Sequence, residues 1–162
     1  MKISAFIPYE NDAQVAQTIT SLSESGLVAS IYLLATAATP SNTKFDATIL
    51  QVDSLTSTQT IRTIAEYSKE TFSLIYLKYS SLYLGAFALD RFIQVATDTQ
   101  AGMVYADYYQ QTTSGTSKAP VNDYQLGSVR DDFNFGSLLL FPSAAIQSAV
   151  ASFLHDFAHA GM

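Results

Sequence analysis

The sequence predicts an α/β fold, a three-layer α/β/α arrangement around a mostly parallel sheet. Short apolar runs that suit buried strands alternate with longer segments whose apolar residues recur at helical spacing. The 162 residues are 48% hydrophobic and only 14% charged, which favours a packed globule over a disordered chain. We therefore expect one domain over residues 1–162.

The first half of the chain carries three predicted strands and two predicted helices. The strands are residues 2–7, 28–34 and 47–52, and the helices are residues 11–26 and 56–69. Pro8 closes the first apolar run, and Asn11 and Asp12 are candidate N-caps for the first helix. Gly26 is a plausible stop for that helix.

The second half continues the alternation. Strands are predicted at residues 72–77, 103–109 and 137–141, and helices at residues 85–99 and 142–158. Pro142 suits the first turn of the last helix. Residues 112–118 are predicted to form a polar turn around Gly115, and residues 123–135 fit no regular element.

Composition excludes several classes of protein. The chain has no cysteine, which removes disulfides, thiolate metal sites and cysteine nucleophiles. The net charge is −6 with eight Lys and Arg, too few for the broad basic face that nucleic-acid binding needs. No apolar run approaches the roughly 18–20 residues that span a bilayer, and the N-terminal run is too short for a signal peptide. We expect a cytoplasmic protein that is not integral to a membrane.

Ligands of such sheets bind beyond the carboxyl ends of the strands. The segments to inspect are residues 9–12, 35–39, 53, 78–81 and 107–109. A small anionic ligand needs only two or three positive groups, which makes each basic residue worth following.

Several of these segments carry a family resemblance. The matching stretches are Ile7-Pro8-Tyr9-Glu10-Asn11, Thr18-Ile19-Thr20-Ser21-Leu22, Arg62 before Ala65-Glu66-Tyr67, Leu74-Ile75-Tyr76-Leu77-Lys78, Leu89-Asp90-Arg91-Phe92 and Val104-Tyr105-Ala106-Asp107-Tyr108. Their order and spacing resemble the nucleotide-binding half of family-2 glycosyltransferases, which have the GT-A fold of the nucleotide-diphospho-sugar transferase superfamily. The resemblance covers essentially the whole chain and rests on segment order.

The resemblance implies transfer of a sugar from a nucleotide-diphosphate donor to a carbohydrate acceptor. The residues it places at the donor cleft are Pro8, Tyr9, Arg62, Lys78 and Asp107. The family normally holds a divalent metal, Mn or Mg, with an Asp-x-Asp motif, and Lys78-Tyr79-Ser80 stands in its place here. The alternative is a non-catalytic binding or scaffolding module that has lost the metal site.

Two further departures accompany the degenerate motif. Ala35-Thr36-Ala37 replaces the acidic residues with which the family holds the nucleotide base. The sequence also stops about where the catalytic base and acceptor segment of the family begin, so we expect the N-terminal, nucleotide-sugar-binding part of a longer chain.

Lys78 is the most informative candidate. Its ammonium could supply part of the charge that a metal ion supplies to a departing diphosphate, with Arg62 nearby. The plainer interpretation, which we favour at this stage, is a solvated lysine at a strand end. Arg62 could instead pair with Glu66 one helical turn away.

Two candidates at strand ends have equally plain alternatives. Tyr9 could stack on a base or be an ordinary strand-end tyrosine. Asp107 could bind sugar hydroxyls or simply end a strand among tyrosines, and we favour the second interpretation.

The metal candidates are weaker still. For Asp131 and Asp132, a local ion pair with Arg130 is the favoured alternative. His155 and His159 have the spacing of a helical zinc pair, but a plain helix surface is favoured. The sequence contains no Gly-rich phosphate loop and no nucleophile elbow.

Overall fold

The computed structural model describes residues 1–37, 39–121 and 133–158. The strands are β1 (Ile3–Tyr9), β2 (Val28–Ala35), β3 (Thr48–Gln51), β4 (Phe72–Tyr76), β5 (Tyr108–Thr112), β6 (Gly115–Ala119) and β7 (Leu138–Pro142). The helices are α1 (Asp12–Glu24), α2 (Thr58–Tyr67), α3 (Ala88–Thr99) and α4 (Ser143–Ala151).

The main sheet has the strand order β3-β2-β1-β4-β7. Strands β1 to β4 run parallel, and β7 joins the edge of β4 in the antiparallel direction. The predicted α/β fold with a mostly parallel sheet is confirmed. Every residue of β1 is buried, as expected of a central strand with helices on both faces.

The two faces of the sheet carry separate apolar clusters. One cluster joins alternate β1 residues, among them Ile3 and Ile7, to the apolar stripes of α1 and α3. The other cluster joins Phe6 to α2 and α4 through Ile64 and Ile146. The alternation of β1 side chains between the two clusters gives the three layers, with α1 and α3 on one face and α2 and α4 on the other.

Two helices in the first half of the chain begin at ordinary side-chain caps. The Asn11 side chain accepts a hydrogen bond from the Gln14 amide at 3.0 Å, as predicted for an N-cap. The Ser57 hydroxyl caps α2 in the same way, accepting from the Thr60 amide at 3.1 Å.

Pro8 does not end the first strand. Strand β1 continues to Tyr9, pairing with β2 along its whole length. The missing N–H of Pro8 is tolerated because it lies near the strand end, where the pairing with β4 reaches only as far as Phe6.

The prediction of a strand at residues 103–109 was wrong. Within this segment only Val104 pairs with the main sheet, through an isolated bridge to Leu140 with N···O distances of 2.8 and 2.9 Å. The chain then leaves the sheet, and Tyr108 begins a separate two-stranded hairpin, β5 with β6. The strand propensity of tyrosine-rich segments does not predict which of two sheets they join, because it depends on the tertiary context.

Two other predicted elements differ from the structure. The polar segment 112–118 contains the hairpin turn and most of β6, since Thr112 pairs with Gly115. The last helix ends at Ala151 rather than at residue 158. The chain beyond it turns back to α2, where the Phe157 carbonyl accepts from the Thr58 amide at 3.0 Å and the Phe157 amide donates to the Thr58 hydroxyl at 2.9 Å.

Candidate functional site

A cavity of about 470 Å³ opens beyond the carboxyl end of β4. It lies between the segment that joins β4 to α3 and the hairpin β5–β6, and its volume is within the range of small-molecule sites. The position agrees with the rule that open α/β sheets bind ligands beyond their carboxyl ends. Its polar lining includes Lys78, Ser80, Ser81, Asp107, Gln110 and Gln111, and its aromatic lining includes Tyr76, Tyr83, Phe92, Tyr108 and Tyr109.

Two hydrogen bonds fix the floor of this cavity. The Leu77 amide donates to the Ser137 carbonyl at 2.9 Å, which extends the pairing of β4 with β7 by one step. The Tyr76 hydroxyl donates to the Ser80 carbonyl at 2.9 Å and so turns the chain directly after Lys78. Lys78 therefore lies just beyond β4, between two hydrogen-bonded residues, Leu77 and Ser80.

Lys78 is half-buried and held against one tyrosine. Its Nζ lies 3.4 Å from the Tyr108 hydroxyl and 4.8 Å from the centre of the Tyr108 ring. A cation over a ring face is stabilised by the ring quadrupole while its remaining N–H groups stay available. Among the salt bridges of the described residues, none involves Lys78. Within the described ranges, the ammonium group is thus positioned without a salt bridge to a carboxylate.

Asp107 lines the same cavity, but its carboxylate contacts residues of the hairpin segment. One carboxylate oxygen accepts from the Val121 amide at 2.9 Å, and the other lies 3.6 Å from the Lys118 ammonium. The carboxylate thereby ties the two ends of the hairpin together. The structure brings Lys78 and Asp107 to one cavity, as expected, but Asp107 lies between the bridge residue Val104 and β5 and does not end a strand.

Tyr9 does not offer a face for stacking. Its side chain is 1% exposed and packs in the core, while its hydroxyl lies within hydrogen-bond distance of two acceptors, the Asp12 carboxylate at 3.0 Å and the Asn42 carbonyl at 3.1 Å. Burial, followed by the Asp12 carboxylate, raises the pKa of Tyr9. The interpretation of Tyr9 as a base-stacking residue is therefore replaced by a structural one, and neighbouring Pro8 is also buried in β1.

Asp12 fastens the segment after β2 to the start of α1. Its Oδ1 accepts from the Thr43 hydroxyl at 2.6 Å, and its Oδ2 accepts from the Lys44 amide at 3.1 Å. The Thr43 hydrogen bond is the main reason that the pKa of Asp12 is lowered. Sequence reasoning missed this contact, because nothing local links residue 12 to residues 43 and 44.

Arg62 does not lie at the cavity with Lys78. It projects from α2, where its guanidinium pairs with Asp156 at 2.9 Å and lies 5.8 Å from the centre of the Phe153 ring. Helix α2 packs against α4 on the opposite face of the sheet from α3. The hypothesis of a diphosphate site shared by Lys78 and Arg62 was wrong, and so was the alternative pairing of Arg62 with Glu66.

The residues that replace the metal motif do not suit a divalent cation. Lys78 repels a cation, and Tyr79 and Ser80 offer only neutral oxygens, whereas Mn and Mg prefer carboxylates. In the described part of the chain no three acidic or imidazole side chains converge.

Asp131, Asp132 and His159 lie outside the described residues. His155 lies beyond the end of α4 and not on a helix, so the helical spacing predicted for it is wrong.

Sequence reasoning missed Tyr83, Gln110 and Gln111 as cavity residues. Tyr83 follows the polar pair Ser80-Ser81 on the segment before α3, and the two glutamines belong to β5. A large ring shortly after polar residues beyond a strand end was the available signal for Tyr83. The hairpin that brings the glutamines to the cavity was not predicted.

No protein-family model matches the chain, and no match was found among curated proteins. The chain is similar in shape to the bifunctional IspDF from Campylobacter jejuni, with a TM-score of 0.59 and 11% identity over 96% of this chain and 44% of that chain. It is also similar to 2-C-methyl-D-erythritol 4-phosphate cytidylyltransferase from Thermus thermophilus, with a TM-score of 0.57 and 12% identity over 93% of this chain and 75% of that chain.

These similarities define the class of fold. The chain has an α/β fold with a mostly parallel central sheet, and this fold resembles that of the two solved structures. It spans less than half of the Campylobacter chain and three quarters of the Thermus chain. At identities of 11% and 12% the comparison shows the fold alone. It does not confirm the narrower assignment to the family-2 glycosyltransferases.

In the described ranges, no helix is long and apolar enough to cross a membrane.

Proposed function

We propose that the chain binds a nucleotide-diphosphate sugar in the Lys78 cavity and serves a glycosyltransferase reaction toward a carbohydrate acceptor. The observation that carries this proposal is Lys78 itself, a half-buried ammonium without a carboxylate partner among the described salt bridges, at the carboxyl end of β4. The family-2 resemblance puts the metal motif at this position. A fixed positive charge there suits a diphosphate.

The chemistry asked of Lys78 is electrostatic. In sugar transfer an acceptor hydroxyl oxygen bonds to the anomeric carbon and loses its proton to a base. The bond between that carbon and the diphosphate oxygen breaks, and the diphosphate departs with additional negative charge. The Lys78 ammonium, held over Tyr108, meets that charge as a point cation without needing a metal ion. Ser80 and Ser81 add hydroxyl groups on the same lining. No catalytic base is assigned to the described residues.

A second candidate function is nucleotidyl transfer, which the name of the Thermus neighbour favours. A triphosphate is commonly bound where a helix begins after a strand, because free helix N–H groups attract it. Here the Asn11 side chain already caps α1, with Glu10 before it and Asp12 in its first turn. These acidic groups oppose a triphosphate, so we prefer the sugar-transfer proposal.

A third candidate is a non-catalytic module that binds the nucleotide sugar, or scaffolds a partner, without turnover. The replacement of Asp-x-Asp by Lys78-Tyr79-Ser80 favours it. As a nucleotide-sugar binder it shares the site with the first proposal and differs only in the absence of product.

The test is calorimetric titration with UDP, GDP and CTP, each with and without manganese. We expect binding of UDP or GDP without metal, and a loss of at least about tenfold in Lys78→Ala. Lys69→Ala is the matched control, since Lys69 is an exposed lysine shortly after α2 and does not line the cavity.

The outcomes separate the candidates. Binding that is equal in Lys78→Ala and wild type would refute the lysine site. Binding that requires manganese would bring Asp107, Asp131 and Asp132 forward as ligands. Preference for CTP with release of pyrophosphate would favour nucleotidyl transfer, and binding of a UDP-sugar or GDP-sugar without transfer to any acceptor would favour the non-catalytic module.

A further inference from the structure

Two exposed tyrosines line the cavity from different walls. Tyr83, on the segment before α3, is 63% exposed, and Tyr109, on β5, is 71% exposed. Both belong to the lining of the cavity that contains Lys78. Large aromatic side chains at such exposure contribute little to the core, and exposed apolar surface around a polar site commonly marks a ligand surface.

The groups near these rings are polar and uncharged. Gln110 and Gln111 of β5 are exposed, and Ser80 and Ser81 lie on the segment that carries Tyr83. An amide side chain both donates and accepts hydrogen bonds, and a hydroxyl does the same. Pairs of neighbouring hydroxyls on a ligand are the natural complement of such groups.

The charge of the cavity points the same way. Its only charged lining residues among those described are Lys78 and Asp107, and Asp107 is paired with Lys118. Lys78 is available to the diphosphate of the proposed donor, and the described lining offers no further cation to a second anionic ligand. The rest of the lining therefore suits a neutral ligand with flat apolar faces and many hydroxyls.

The hairpin that carries Tyr109 contributes little to the packed core. Four of the five residues of β5 and four of the five of β6 are exposed. A two-stranded hairpin is marginal by itself, yet this one is tied down by Asp107 at its base and by Tyr108 against Lys78. It is held beside the cavity, where Tyr109 and the two glutamines reach the lining.

We infer that Tyr83 and Tyr109 form a platform for a neutral pyranose oligosaccharide, the acceptor of the reaction. The apolar face of a sugar ring packs on an aromatic ring, and its equatorial hydroxyls bond to the amides and hydroxyls nearby. The role as acceptor site rests on the proposed function. Binding of the oligosaccharide itself does not depend on it.

The experiment measures oligosaccharide binding separately from nucleotide binding. The probes are neutral tetrasaccharides of glucose, galactose, mannose and N-acetylglucosamine, titrated against the full chain alone and with saturating UDP. Calorimetry gives the affinity, and saturation-transfer NMR shows which sugar protons touch the protein. Because the chain has no Trp, its aromatic emission comes chiefly from its tyrosines and gives a second signal.

We expect at least one tetrasaccharide to bind, and Tyr83→Ala and Tyr109→Ala each to weaken it about tenfold. UDP affinity should fall much less in Tyr109→Ala than in Lys78→Ala. Phe157→Ala is the control, since this ring is 58% exposed but lies by α2, away from the cavity. Thermal unfolding of each variant checks that the fold is kept.

The results distinguish the two proposals. Tetrasaccharide binding that depends on both tyrosines, without any UDP or GDP binding, would keep the platform and refute the nucleotide-sugar site. UDP or GDP binding with no tetrasaccharide bound in either condition would refute the platform and keep the nucleotide site. Tetrasaccharide binding that is as strong in both tyrosine variants as in wild type would also refute the platform.

Discussion

The central sheet and the rim of the cavity, which is formed by the hairpin β5–β6, are stabilised in different ways. In the sheet, β1 is buried along its whole length, and its side chains alternate between two apolar clusters. At the rim, the hairpin β5–β6 is exposed along most of its length and is held by a few polar contacts. The sheet is stabilised by burial, and the rim is positioned by hydrogen bonds and one cation over a ring.

This difference separates the residues expected to determine stability from those expected to determine ligand affinity. Substitutions in the sheet should change the free energy of unfolding, whereas substitutions at the rim should change ligand affinity with little effect on stability. Lys78 links the two regions, since the end of β4 places it and the hairpin residue Tyr108 holds it.

The largest expected effect comes from the sheet. Leu33 in β2 is fully buried, so Leu33→Ala should lower the free energy of unfolding by about 3 kcal/mol. Tyr109→Ala at the rim should change it by less than about 0.5 kcal/mol. Urea unfolding measures both. A Tyr109→Ala loss as large as that of Leu33→Ala would show that the hairpin belongs to the cooperative core.

A smaller effect is expected where the rim is close-packed. Gly136 has φ of +85°, and a Cβ there would lie 3.3 Å from Val121 Cγ1 and 3.5 Å from the Ala106 carbonyl oxygen. Gly136→Ala should lower the free energy of unfolding by about 1–2 kcal/mol. Gly102→Ala is the control, since no atom lies within 4 Å of its added Cβ. Equal stability of the two variants would contradict the packing at the base of the hairpin.

The two ends of α3 offer a test of backbone strain. Phe87 before the helix and Gln100 after it both have left-handed backbone, with φ of 59° and 52°. Replacing either by glycine should raise the free energy of unfolding by about 0.5–1 kcal/mol. Thermal unfolding measures the gain. Destabilisation by Phe87→Gly but not by Gln100→Gly would mean that the exposed Phe87 ring has a packing role.

The smallest effect concerns pH. The pKa of Asp12 is lowered from 3.8, chiefly by the Thr43 hydroxyl, so its ionised form stabilises the fold. That contribution is present above the unfolded-state pKa and is lost as pH falls through the folded-state value. The stability difference between wild type and Asp12→Asn should therefore shrink from about pH 6 to about pH 3. A constant difference across that range would rule out the carboxylate as its cause.

The sheet could be predicted because its signals are local. Apolar runs marked β1, β2 and β4, and the spacing of Val15, Ile19 and Leu22 marked the buried face of α1. The cap at Asn11 was also predictable, since its chemistry lies within one turn.

The rim could be predicted only in part. Lys78 was found because it follows a strand, but its partner Tyr108 lies in a segment, residues 103–109, that was predicted to be one strand. Arg62 was misplaced because its partner Asp156 is distant in sequence and outside the predicted spacing rules. Contacts of this kind depend on tertiary packing, which periodicity does not encode.

The pairing of β7 with β4 also has a consequence for how the chain folds during synthesis. Strands β1 to β4 all lie in the first half of the chain, so they can pair with one another before the second half is translated. The hydrogen bond from the Leu77 amide to the Ser137 carbonyl can form only after Ser137 is synthesised, which at typical elongation rates is on the order of seconds later. A nascent chain would therefore complete most of its parallel sheet first and fix the surroundings of Lys78 last.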